Sequence, residues 1–273
     1  MDLNPTELTS LAQIACTVAI EAGRLVVDER PEGLGVARTK STDTDVVTVM
    51  DQRSEDLLRR RLGEMRPDDG LLGEEGAARD SGSGVTWVVD PIDGTVNYLY
   101  ELPGYAVSVA ACVGDVSTPG RWQPVAAAVF NPLSEELFHA HAGGGAFLSS
   151  GGREHRLSVS TRTRLARSLV STGFGYDPQV RAAQGQLLAG LLPLIRDVRR
   201  AGSAAIDLCH VAAGRLDIYY ESGLNPWDLA GGQLVVTEAG GVVTGRDGAP
   251  AGKDLVVAGP AGLVHDLHAL ITR

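Results

Sequence analysis

The chain has 273 residues, a formal net charge of −10, 44% hydrophobic side chains and three cysteines. That length bounds it at one large α/β domain or two intimately packed halves, with apolar content enough for a sizeable core. The acidic balance argues against a nucleic-acid backbone as main partner, since duplex binding needs a basic face, and no unbroken apolar run of roughly 20 residues marks a membrane span. Met1 to Glu7 has neither the basic n-region nor the apolar h-region of a secretory signal. Cys16, Cys112 and Cys209 are scattered without CxxC spacing and read as reduced thiols of a cytoplasmic protein.

From Thr6 to about Asp28, apolar residues recur as Leu8, Leu11, Ala15, Val18, Ala22 and Val26, the period of a helix with one buried face. Pro31, Gly33 and Gly35 stop it and open a polar loop carrying Lys40 to Asp45. A second amphipathic helix turns Leu58, Leu62 and Met65 inward and a dense Arg/Glu face outward, ending at Pro67-Asp68-Asp69-Gly70. Leu71-Leu72 runs into Gly73-Glu74-Glu75, and residues 76–84 read as a mobile surface loop. Thr86 to Val89 is a buried strand that stops at Asp90-Pro91, and strand-like runs follow at Tyr105–Val113, Val125–Phe130 and Glu136–Ala140, as in an antiparallel sheet. Gly143-Gly144-Gly145 reads as a hairpin turn, lacking the Lys-Ser/Thr of a phosphate loop. The second half alternates: strand 168–171, helix 179–192, strand 197–200, helix 204–213, strand 217–220, a helix from Pro226 to Ala239 stopped by Gly240-Gly241, strand 255–258, and a C-terminal helix.

Asp90-Pro91-Ile92-Asp93-Gly94-Thr95 is the most informative stretch. It follows a buried strand, so Asp90 emerges where open sheets place ligands. Two carboxylates three residues apart on a rigid turn, with the Ile92 carbonyl between them, can chelate a hard cation. The amides near Gly94 and Thr95 can receive phosphate oxygens. In Asn225-Pro226-Trp227-Asp228, Asn225 reads as an N-cap and Pro226 as the first helical residue, which puts Asp228 in the first turn. Taken singly, each motif reads equally well as a turn, a solvated Glu pair or a helix cap, and Asp45 and Asp51 as caps of the second helix. Taken together, four acidic sites that each follow a strand or open a helix suit one crevice. Gathered anions persist there only with cations between them, and oxygen-only ligation selects Mg²⁺ or Mn²⁺ over Zn²⁺. The histidines offer no rival site: His139 and His141 alternate on a strand without a third partner. No G-x-S-x-G elbow is present either.

In this order, Gly73-Glu74-Glu75, the stretch from Trp87 to Tyr98, and Trp227-Asp228-Leu229-Ala230-Gly231-Gly232 with Thr237 to Gly241 resemble the metal-binding motifs of the inositol monophosphatase family of Mg²⁺-dependent, lithium-sensitive phosphatases. Arg200 to Ala205 and Tyr219-Tyr220-Glu221 resemble its substrate-facing segments, in the manner of a bacterial inositol-1-monophosphatase. The resemblance implies one domain over 1–273, a layered αβαβα sandwich shared with fructose-1,6-bisphosphatases, and a homodimer. It implies that Glu74, Asp90, the Ile92 carbonyl, Asp93 and Asp228 hold two or three Mg²⁺ ions, with Mn²⁺ able to substitute. Asp51 and Thr95 would orient and deprotonate the attacking water with Glu74 assisting. Gly94 and Thr95 would bind phosphate. Gly202, Ser203, Ala204 and Glu221, with Asp93, would face the alcohol, while Glu74, Ile92 and Asp228 also border the substrate. Lys40 falls where the family carries a loop lysine near the metals. Ser149-Ser150-Gly151 in place of an Asn-Gly turn, and a long 115–123 hairpin, depart from the pattern without touching the metal motifs.

The expected reaction is hydrolysis of inositol 1-phosphate to inositol and phosphate by in-line attack of metal-activated water, without a phosphoenzyme. Two other readings stand beside it. The same chemistry could serve histidinol phosphate, fructose 1,6-bisphosphate or phosphoadenosine phosphate, which relatives handle. A role of another class is binding to the transcription machinery, which intact metal motifs do not exclude.

Overall fold

The computed structural model describes residues 3–271; Met1, Asp2, Thr272 and Arg273 lie outside the described residues, and with them the start of the leader reading and both ends of the 1–273 domain. Helix α1 (Pro5–Asp28) starts on a capping box in which the Glu7 amide donates to Asn4 Oδ1 at 3.0 Å and the Asn4 amide to Glu7 Oε2 at 2.9 Å. Its buried face is small, with Ala12, Ala15, Ala19, Ala22 and Gly23 among the larger Leu11, Val18 and Val26. A Cβ on Gly23 would sit 2.5 Å from the Phe130 ring, so the helix lies tight on the sheet. By length and mean hydropathy of 1.4 over its most apolar window, α1 could cross a membrane, which qualifies the expectation drawn from unbroken apolar runs. Its apolar stripe is instead packed against the sheet.

A two-stranded ribbon, β1 (Arg38–Thr39) with β2 (Val46–Val47), leads into α2 (Val49–Met65). Then come β3 (Gly70–Gly73), β4 (Val85–Asp93), the single-turn α3 (Thr95–Leu99), β5 (Ala106–Gly114), β6 (Trp122–Asn131), β7 (Glu136–His141), β8 (Gly145–Ser150) and β9 (Arg153–Arg156). β3 to β9 form one seven-stranded sheet in sequence order, with β3 parallel to β4 and every later pair antiparallel. β5 shows why the sheet is central. Ala106, Ala110 and Cys112 enter one apolar cluster while Val107, Val109 and Ala111 enter another, so period-two alternation buries both faces.

β10 (Leu169–Thr172), α4 (Pro178–Leu191), β11 (Asp197–Arg199), α5 (Ala204–Ala212), β12 (Ile218–Glu221), α6 (Pro226–Glu238), β13 (Val242–Thr244), β14 (Val256–Gly259) and α7 (Ala261–Ile271) complete the chain. Their sheet has the order β11-β10-β12-β14-β13, parallel at the β11 side and antiparallel at the other. The result is the expected αβαβα stack: α1 and α2, the large sheet, α5 and α6, the small sheet, then α4 and α7.

Three expectations change. β4 does not stop at Asp90; it continues to Asp93 through a bulge opposite β5, and Pro91, with no N–H to lose, sits in the irregular part. Residues 76–84 are not merely a surface loop, since Arg79 exchanges two backbone hydrogen bonds with Leu71. β8, β9 and β13 are strands that the sequence pattern does not predict: Gly, Ser and Arg mask alternation in β8 and β9, and β13 is a Val-Val-Thr triplet too short to show a period.

Candidate functional site

The Asp90–Asp93 bulge, the start of α6 and the start of α5 meet at one end of the two sheets. Asp90, Asp93 and Asp228 each bring one oxygen into a group whose members all lie within 4.8 Å of one another. The backbone aims them. Asp90 Oδ1 receives the Ile92 amide at 3.0 Å; Asp93 Oδ2 receives Ser203 Oγ and the Ala205 amide, both at 2.6 Å; Asp228 Oδ2 receives the Asn225 amide at 2.6 Å. Asp90 and Asp228 thus each have one oxygen held by their own turn or helix start, and Asp93 has one held by the start of α5. Gly94 closes the motif at φ 97°, where a Cβ would lie 2.7 Å from the Gly104 carbonyl.

Glu74 stands beside this group at the end of β3, and Lys40 on the ribbon reaches it at 2.8 Å and Glu75 at 2.5 Å. Arg38 also pairs with Glu75. Beneath the turn, Glu55 of α2 is fully buried and accepts the Glu75 and Gly76 amides at 2.7 Å each, with Arg59 as its ion partner. The Arg/Glu face of α2 is therefore not all outward. Glu55 was missed because its i,i+4 spacing to Arg59 reads as a solvated helix pair.

Thr95 Oγ1 lies 2.9 Å from Asp51 Oδ1 and 3.0 Å from the Ile92 carbonyl. Asp51 Oδ2 caps α2, taking the Thr48 amide at 2.8 Å and the Thr48 hydroxyl at 2.6 Å. The cap thus occupies one Asp51 oxygen and the Thr95 hydroxyl the other. Asp45 borders the pocket but its carboxylate is engaged by Ser41, at 3.1 Å from the amide and 2.6 Å from the hydroxyl.

A pocket of about 530 Å³ opens from these groups and is bordered also by Gly202, Ser203, Ala204, Arg200, Tyr176 and Glu221. Every sequence-derived site residue except Asp51 borders it; Asp51 lies behind Thr95. One Glu221 oxygen is not free for substrate, because Tyr219 Oη donates to Oε2 at 2.5 Å. Gly173 makes room for that carboxylate, since a Cβ there would collide with both oxygens. His139 instead pairs with Glu154 at 3.1 Å, away from the pocket.

Charge is out of balance here. Burial, reinforced by Glu74 and Asp93, pushes the Asp90 and Asp228 carboxyls well above the usual range; burial raises Asp93 too, against donors from Ser203 and α5. Burial lifts Glu74 to about 7 although Lys40 pulls it down. Burial would lower the Lys40 ammonium, but Glu74 and Glu75 outweigh it and hold it charged. Three convergent, partly satisfied carboxylates with oxygen-only donors and, among the described residues, no guanidinium paired to them fit a hard divalent cation.

A sequence model described as the inositol monophosphatase family matches residues 7–272. An inositol-1-monophosphatase of Mycobacterium leprae is 44% identical over all of this chain and 96% of its own length. A Nus factor SuhB of Xylella fastidiosa is 40% identical over 76% of this chain and 71% of its own. The crystal structure of the extragenic suppressor protein suhB from Bartonella henselae superposes with a TM-score of 0.87 at 32% identity, covering 97% of this chain and 99% of that one.

Proposed function

The chain belongs to the inositol monophosphatase family, a family of metal-dependent phosphatases, and from that premise we propose that it hydrolyses inositol 1-phosphate or a closely related small phosphate monoester. The observation that carries this reading is the meeting of Asp90, Asp93 and Asp228 within 4.8 Å beside a Thr95–Asp51 hydrogen bond. Glu74, Asp90, the Ile92 carbonyl, Asp93 and Asp228 would hold two or three Mg²⁺ ions, with Mn²⁺ able to substitute. The chemistry those ions supply is a lowered pKa for water and stabilisation of the leaving oxygen.

The chain's own residues do the rest. Asp51, fixed by its cap, holds the Thr95 hydroxyl so that Thr95 can accept a proton from water and relay its own to Asp51. The Gly94 and Thr95 amides steady the phosphate. The alcohol half lies against Gly202, Ser203, Ala204 and the remaining oxygen of Glu221. Lys40 tethers the ribbon to Glu74 and closes the open side against water. The same reading takes residues 1–273 as one domain, supported by an apolar cluster drawing on both sheets. It takes the protein as a cytoplasmic homodimer, supported by three free cysteines and by exposed Tyr100, Leu102 and Leu133 on loops joined through Asn131 and the Pro103 carbonyl.

The deciding experiment is turnover of a phosphomonoester panel that includes histidinol phosphate, fructose 1,6-bisphosphate and phosphoadenosine phosphate. Preference for inositol 1-phosphate, activity dependent on Mg²⁺ or Mn²⁺, and inhibition by millimolar-scale Li⁺ are expected. Full activity in EDTA would sink the mechanism. The relative named Nus factor favours a second reading, a non-catalytic partner role. A metal-dead variant that still captures components of the transcription machinery would establish it.

A further inference from the structure

Away from the catalytic pocket, a second, more open groove of about 790 Å³ is bordered by six arginines: Arg162, Arg164, Arg167, Arg196, Arg199 and Arg215. Only two carboxylates, Asp197 and Asp217, border it, in a chain whose net charge is −10. None of its bordering residues borders the catalytic pocket.

The arginines come from three segments: the stretch before β10, the edge strand β11 with the residue before it, and the α5–β12 turn. One buried side chain joins two of them. Asp217 accepts Ser160 Oγ at 2.5 Å and the Leu169 amide at 2.7 Å, and pairs with Arg162 at 3.2 Å. The Arg196 amide donates to the Ser168 carbonyl at 3.1 Å, and Ser168 Oγ to the Arg164 carbonyl at 2.9 Å, which ties the third segment in. An edge strand needs only a charge or two to discourage pairing, which accounts for Arg196 or Arg199 but not for the others. Arg199 and Arg215 are engaged by Asp197 and Glu136. Arg164, Arg167 and Arg196 are exposed and make no side-chain hydrogen bond or ion pair among the described residues.

We propose that this groove is a second anion-binding site, for a small polyanion carrying two or more phosphate groups. Three uncommitted guanidinia on hydrogen-bonded backbone offer forked donors matched to phosphate oxygens, and their spread over separate segments favours several linked phosphates over one. Arg199 borders the groove while Arg200 borders the catalytic pocket, so the two sites lie on either side of one short segment.

The test is calorimetric titration of the full chain with inorganic tripolyphosphate in metal-free buffer, where the catalytic carboxylates repel an anion. Saturable binding that weakens with added salt is expected. Arg164→Glu with Arg196→Glu should reduce affinity by about tenfold or more, and the paired Gln substitutions by less, while Asp93→Asn leaves it unchanged. Neither arginine carries an ion pair, so unchanged melting temperatures should accompany the loss. No saturable binding by the parent chain would overturn the proposal. So would an affinity unchanged in both pairs of arginine variants, or one raised by Asp93→Asn, which would place the anion in the catalytic pocket. Dissociation of an oligomer by the charge reversals, with no tripolyphosphate binding by the parent, would make the groove a subunit contact and equally overturn it.

Discussion

The two walls of the pocket at the carboxylate group are built differently. On one side, Asp90 and Asp93 hang from β4, a strand buried along nearly all its length, and Asp228 opens α6, whose Leu229 to Gly232 and Leu234 to Val236 are buried between the sheets. On the other, Lys40 rides a two-residue-per-strand ribbon, and Tyr176 precedes α4, whose one buried residue is Leu191. Close-packed elements hold an atom to fractions of an ångström, whereas thinly packed ones open at low free-energy cost. On the proposed function, the chemistry stands on the first wall. The second is suited to admitting, fitting and releasing a substrate.

The largest expected effect breaks the rigid wall's chemistry without breaking the wall. Asp93→Asn should lower turnover more than about 100-fold, beyond what partners one step removed from a metal supply. The metal-free fold should be kept or stabilised, because one of several crowded like charges is gone. Circular dichroism and steady-state kinetics together check this. If the variant unfolds while its folded fraction keeps full specific activity, Asp93 is only a turn residue.

Next comes the support beneath Glu74. Glu55→Gln leaves one acceptor oxygen where two amides donate, so the Glu74-Glu75 turn must shift. Apparent Mg²⁺ affinity should fall roughly 10–100-fold, with turnover at saturating metal much less changed. An unaltered metal titration would reduce Glu55 to packing.

Glu221 sharpens the comparison from the fitting side. Glu221→Gln should cost about 1–3 kcal/mol in kcat/KM on inositol 1-phosphate. Hydrolysis of p-nitrophenyl phosphate should change far less, since a flat aryl group presents no hydroxyl pair. Equal losses on both substrates would remove Glu221 from substrate choice. With Tyr219 holding Oε2, one remaining oxygen meets the polyol rather than two.

The smallest effect is on pH dependence. Burial lifts Asp207 to about 8 and Glu221 to about 7. Both folded values exceed the unfolded ones, so between about pH 5 and 8 the native chain holds more protons than the unfolded chain. Stability is therefore fully present at the acid end and falls as pH rises through that window. Asp207→Asn should flatten the slope of melting temperature against pH there. A slope identical to that of the parent chain would show that Asp207 titrates normally.

How legible this was depended on the kind of signal. The layered fold and the substrate-facing segment at α5 were implied by the family resemblance, whereas β4 and α6 could be read from the residues, because apolar period and cap chemistry coincide there: Asn225-Pro226 announces a helix start and so locates Asp228. Glu55 and Asp207 could not. Glu55 sits in a run of charge that looks solvated, and Asp207 follows Ser203 on a short helix where an acid near the start looks like a dipole partner. Both are buried only because a segment distant in sequence covers them. The Arg162–Arg215 groove was illegible for the same reason. Its arginines lie on three segments, and the net charge of −10 conceals a local excess of the opposite sign.

Asp51 and Asp228 each tie down the amide that begins their own helix while meeting the site, Asp51 through Thr95 and Asp228 directly in the carboxylate group. In a lineage released from selection for turnover, alanine at either position would silence the site and fray a helix together, whereas asparagine keeps an oxygen for the cap. Inactive descendants of such a chain should therefore be recognisable by amidated motifs rather than truncated ones, with the architecture outliving the reaction.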